Sequence, residues 1–198
     1  NGNFTLPIGS SSDFAASLAL QADGKLVLAG NCYNGVNDDF CVARLNVNGS
    51  LDASFDGPSG FANGKFLLPM GAGNDAARAA AVQSDGKIVI AGHCFNGANT
   101  DFCVARLNVD GSLDTSFDGP IGNGNGQVLL PIGAGSDVAK ALALQTDGRI
   151  VVAGYCYNGS NDDMCVARLN GGPYGAKHCS LDLDGDGKVV ATVDMLIG

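Results

Sequence analysis

The chain is poor in the residues that do chemistry. Its 198 residues include two histidines, His93 and His178, in non-equivalent places and outside any nucleophile motif. Both are expected at surface or linker positions. No G-x-S-x-G elbow occurs, and the serines fall in turn-like stretches. There is no Walker loop either. The glycine-rich stretch at 122–126 leads into a strand-like run and not a helix, which argues against phosphate binding there. Basic residues are scarce: 11 against 20 acidic, a net charge of −9, which disfavours nucleic acid and anionic membranes as partners. No apolar run reaches the roughly eighteen residues of a membrane span. The expectation is a protein that is not an enzyme.

What the chain has instead is glycine, 30 of them, and one pattern written three times. Cys32, Cys94 and Cys156 stand 62 residues apart, and so do Cys41, Cys103 and Cys165. Leu6-Pro7, Leu68-Pro69 and Leu130-Pro131 keep the same step, as do Asp23-Gly24-Lys25, Asp85-Gly86-Lys87 and Asp147-Gly148-Arg149. A spacing without insertions means that each copy is one structural unit in an equivalent setting. Each copy holds four strand-like runs, in the first copy residues 3–8, 16–21, 25–32 and 40–47. Ala22-Asp23-Gly24 is a hairpin signal, because Gly accepts positive φ and Asp tolerates it. The run at 25–29, apolar at each position after Lys25, predicts a strand covered on both faces. Residues 76–81 have high helix propensity, yet their counterparts at 14–19 and 138–143 fit a short buried strand, and strand is the reading taken. Between copies, residues 48–57 and 110–119 read as turn, anchor (Leu51 with Phe55) and turn. The third copy lacks this linker. The predicted organisation is therefore a three-repeat β domain over 1–170 (repeats at about 3–62, 65–124 and 127–170), then a linker and tail over 171–198.

Residues 141–154, Ala-Leu-Ala-Leu-Gln-Thr-Asp-Gly-Arg-Ile-Val-Val-Ala-Gly, and 101–117, which begin Asp-Phe-Cys-Val-Ala-Arg-Leu-Asn, resemble the delta-60 repeat of secreted bacterial proteins. The resemblance covers roughly residues 3 to 170. It implies all-β, propeller-blade-like repeats of four strands, in exported proteins of mostly unassigned function, and it brings no catalytic residues. The paired cysteines are a departure from that pattern. Three blades make a cramped ring, and closure is open at this point: a threefold trefoil-like or prism-like body, two chains sharing six blades, or a fibre in which a terminal strand passes to the next subunit. The chain opens without Met inside a repeat and stops where an amphipathic helix begins, as a processed chain with flanking segments would.

Each cysteine pair encloses eight residues. If one cysteine ends a strand and the other begins its neighbour, the thiols meet across a hairpin at a span a disulfide can bridge. Cys32–Cys41, Cys94–Cys103 and Cys156–Cys165 are the predicted bonds, which places the protein outside the cytosol. Cys179 is left over. In the tail, Asp182, Asp184 and Asp186 alternate ahead of Gly187 and Lys188, the opening of a calcium loop resembling that of dockerin modules, with Lys188 giving a backbone carbonyl. The closing carboxylate, Asp194, stands one residue late. Calcium is the expected cofactor.

The loops after the first cysteine of each pair suggest a ligand face: Tyr33, Asn34 and Asp39; Phe95 and Asp101; Tyr157 and Asp163. An aromatic ring beside Asn and Asp suits a sugar. The competing reading is an Asn-Gly turn that satisfies its own backbone, with the ring covering the disulfide. The leading expectation is a secreted structural or surface-assembly protein that self-associates through terminal strands, with a multivalent carbohydrate-binding module as the alternative.

Overall fold

Short apolar runs joined by Asp-Gly turns cannot bury both faces as single strands, so they pair with their neighbours. At the first turn, the Asp23 carboxylate accepts a hydrogen bond from the Lys25 N–H (3.1 Å), and Gly24 closes the bend at φ +83°. The computed structural model describes residues 3–58, 63–117 and 124–170. They form eleven strands in three antiparallel sheets: β1 (Asp13–Leu20), β2 (Leu26–Tyr33), β3 (Asp38–Leu45) and β4 (Lys65–Leu68); β5 (Ala76–Val82), β6 (Ile88–Phe95), β7 (Thr100–Leu107) and β8 (Gln127–Leu130); and β9 (Asp137–Leu144), β10 (Ile150–Tyr157) and β11 (Asp162–Leu169). Each sheet is a meander in chain order, a blade. The stretch with helix propensity is strand β5.

The sheets are offset from the sequence repeat. A blade takes the last three runs of one copy and the first run of the next, so β3 pairs with β4 through Phe40↔Leu68 and Val42↔Phe66. This offset corrects one expectation. Residues 3–8 form no strand, because the β3-type edge their equivalents pair with belongs to a preceding blade. Blade three correspondingly has three strands among the described residues.

Two apolar cores lie between blades. Phe40, Val42, Phe66 and Leu68 of blade one meet Ala77, Ile88 and Ile90 of blade two. Phe102, Val104, Val128 and Leu130 of blade two meet Ala139, Ile150 and Val152 of blade three. These sets are the same repeat positions used twice. Burying Phe40 or Phe102 completely contributes about 2 kcal/mol each. The first strands line the inside: β1 packs on β5 and β5 on β9, and among the described residues no comparable packing joins β1 to β9. The result is an arc of three blades.

Candidate functional site

The predicted disulfides are present in all three blades. Their Cα atoms are 5.7, 5.8 and 5.9 Å apart. The cysteines sit diagonally across the ladder and not face to face: Cys32 is registered with Asp39 and Cys41 with Gly30. The bond thus spans the β2–β3 hairpin just inside its loop.

In those loops the predicted ligand residues are brought together, and they bind one another. Asn34 donates to Asn37 Oδ1 (2.5 Å) and Asp39 Oδ2 (2.7 Å), and accepts from the backbone N–H of Val36 and Asn37. Asn96 and Asp101 are 2.6 Å apart, Asn158 and Asp163 2.5 Å. Burial raises the pKa of Asp39, a rise that the Asn34 hydrogen bond moderates; Asp101 behaves likewise beside Asn96. Phe95 lies against Gly73 and Tyr157 against Gly135, close enough that a Cβ on either glycine would press into the ring. Tyr33 is half-buried. The first loop also sews blade one to blade two, since Asn37 donates to the Gly73 carbonyl (2.7 Å) and the Asp75 N–H to the Asp38 carbonyl (2.7 Å).

Two constellations escaped the sequence reading. Arg44 is buried, with its guanidinium 4.4 Å over the Phe55 ring and its Nε 2.8 Å from Asp52 Oδ2, which Lys25 also reaches at 3.0 Å. Arg44 also donates to the Val109 carbonyl of the next blade. Arg106, Phe117, Asp114 and Lys87 repeat the arrangement, with the ring at 4.6 Å and both cations 2.7 Å from Asp114. Burial alone would raise the Asp52 and Asp114 carboxyls, but hydrogen bonds from serine and lysine together with the arginine charge hold both well below the usual range. The second set is Asp13, Asp75 and Asp137, again 62 apart. Asp75 accepts from the backbone N–H groups of Met70 (2.9 Å), Gly71 (2.7 Å) and Phe95 (3.1 Å) and fixes the turn into β5. The signal was there, as a carboxylate four residues past the glycine of each Pro-x-Gly.

His93 corrects a further expectation. It lies half-buried in strand β6, because its position alternates with Gly92 and Cys94 along a ladder. Cys179, His178, Asp182, Asp184, Asp186, Lys188 and Asp194 lie outside the described residues.

The two ends of the arc are the most unusual surfaces. Met164 is 97% exposed, while its equivalents Phe40 and Phe102 are fully buried under the following blade. At the other end Phe14, Leu18 and Leu20 are 60, 58 and 67% exposed, where Ala76 and Val138, the equivalents of Phe14, are buried against a preceding blade. Residues 3–8 lie along that first open face and enclose a cleft of about 490 Å³ with Phe14 and Leu28. Their placement repeats an internal one. Lys65 donates to the Pro7 carbonyl as Gln127 donates to the Pro69 carbonyl, and both donor and acceptor differ by 62.

Blades of antiparallel meander, inner first strands and matched inter-blade cores define a propeller-like repeat protein. The family model described as a domain of unknown function (DUF5122), beta-propeller, matches residues 21–55, 83–117 and 145–171, one segment per repeat. No curated protein matches the chain.

Proposed function

We propose that the chain is a secreted, non-enzymatic structural protein that associates head to tail, with residues 3–6 of one copy completing blade three of the next. The observation that carries this reading is the matched pair of open ends. Blade three lacks a fourth strand among the described residues, and residues 3–8 already stand where a fourth strand of a preceding blade would stand. Transferring the β3–β4 register to those positions pairs Met164 with Leu6, Cys165 with Thr5 and Val166 with Phe4. Met164 would then meet an apolar neighbour, as Phe40 meets Leu68. The interface is heterologous, so it closes into a ring of copies or propagates as a filament. Three disulfides in a small β domain suit an oxidising, extracellular setting, which supports export.

Sedimentation velocity across a concentration series tests the association. Assemblies are expected for the native sequence and a single monomeric species for Leu18→Asp with Leu20→Asp, which charges the open face of blade one. A native protein that stays monomeric at every concentration overturns the reading. For the tail, the spacing of Asp182, Asp184 and Asp186 supports a calcium loop that restrains the C-terminal segment. Isothermal titration with calcium chloride tests it: saturable binding lost in Asp184→Ala supports the loop, and no heat beyond dilution removes it.

A further inference from the structure

The repeats are not equal on the inner strands. Each inner strand carries a bulge opposite the centre of its partner, between Ala15 and Ser17, Ala77 and Ala79, and Ala139 and Ala141. The bulged residues are Ala16, Arg78 and Lys140. On the facing strand, the residue registered with Phe14, Ala76 or Val138 also changes, from Asn31 to His93 to Tyr155. Blades two and three thus combine a cation with a ring where blade one has alanine and asparagine. Strand β9 packs on both β5 and β6, which brings the two sets to one place.

These cations differ from five other basic residues, each of which meets a carboxylate. Lys25 and Arg44 share Asp52, Lys87 and Arg106 share Asp114, and Arg149 meets Asp147. Among the described residues no carboxylate lies within 4.0 Å of the Arg78 or Lys140 nitrogens. Arg78 Nε and His93 Nδ1 are both buried without a hydrogen-bond partner, and the Lys140 ammonium stands 5.5 Å over the Tyr155 ring. The chain carries a net charge of −9, yet no acidic side chain among the described residues forms an ion pair with this cluster's two cations.

We propose that Arg78, His93 and Lys140 form a binding site for a small oxyanion, a phosphate or a carboxylate group, on the inner strands of blades two and three. The arginine fork and the lysine ammonium supply charge-assisted donors, and protonated His93 supplies a third from Nδ1. In the free protein His93 resists protonation: burial, then the charges of Arg78 and Lys140, lower its pKa to about 4. Tyr155 on β10 borders the cluster through its ring, under the Lys140 ammonium. An anion between the two cations cancels their repulsion and favours the imidazolium, so binding and His93 protonation are linked.

Histidine-selective NMR of the full chain reads this directly, because the chain has two histidines and His93→Gln assigns the His93 resonances. Titration is run with inorganic phosphate and, separately, with citrate, against sodium chloride of matched ionic strength. The expected result is saturable movement of the His93 resonances and a midpoint raised toward the ordinary histidine value. A response to phosphate alone assigns a phosphoryl ligand, and one to citrate alone a carboxylate. Arg78→Gln with Lys140→Gln is expected to weaken binding by about tenfold or more. Movement no greater than that in sodium chloride overturns the site, and so does an equal response in the double variant. The readout does not depend on oligomeric state, so it stands apart from the association proposed above.

Discussion

The guanidinium of Arg44 holds three things at once: the linker carboxylate Asp52, the Phe55 ring and the Val109 carbonyl of the next blade. Removing it leaves Asp52 buried beside a single cation, Lys25. Arg44→Met is therefore expected to lower unfolding stability by about 3 kcal/mol in urea titrations, while Arg149→Met, whose partner is exposed, leaves the midpoint unchanged. Acid sensitivity follows from the same groups. Asp52 and Asp114 are held below the ordinary carboxylate pKa, so the stability they contribute is complete above about pH 4 and is lost as pH falls toward their folded values. Asp39, Asp75 and Asp101 are raised and act in the opposite sense. The difference between native protein and Asp52→Asn with Asp114→Asn isolates the first effect: the variant is less stable at pH 7 and loses less on acidification, read from thermal midpoints between pH 7 and pH 2. At this scale the sequence was only partly legible. The cysteine pairs announced themselves by spacing, because a short loop between thiols has few other uses. Arg44 and Arg106 did not, since an arginine beside a linker is ordinarily solvated and only the fold brings Asp52 and Phe55 around it.

The strands were legible for the reason that each copy repeats its turns. Asp-Gly at 23–24, 85–86 and 147–148 fixed the first hairpin of each blade, and the apolar runs beside them had one way to pair. The fourth strand was not legible as drawn. Residues 3–6 keep the Phe and the final Leu of their equivalents Lys65–Leu68, yet a strand exists only where a neighbour offers its edge. Glycine at 30, 92 and 154 was visible as a repeat, but its reason was not: a Cβ on Gly92 would collide with the Ala76 carbonyl where the bulge draws the two strands together. The disulfides act on the element most exposed to fraying, the loop end of the second hairpin of each copy. Closing so short a ring stabilises by about 2.7 kcal/mol in the chain-entropy model. Cys94→Ala with Cys103→Ala, in the blade covered on both sides, is expected to lose about that much, measured by denaturant unfolding. No change in midpoint on removing the pair would contradict this account of the hairpin.

At the scale of the whole molecule, the two internal interfaces are one interface used twice, and both of its halves are left open at the ends of the arc. Blade one shows Leu18 and Leu20, and blade three shows Met164. Sequence periodicity alone gave the unit and its number. It was silent on closure, because identical blades are compatible with a threefold body, a shared ring or a fibre, and only burial compared position by position separates covered faces from open ones. The measurement that bears most directly on this is cross-linking between copies. One preparation carries Leu6→Cys and the other Met164→Cys, and the two are mixed under mild oxidation. The account predicts a covalent dimer that contains one chain of each kind and forms in neither preparation alone. Chains that remain uncross-linked at concentrations where sedimentation shows assemblies would contradict it.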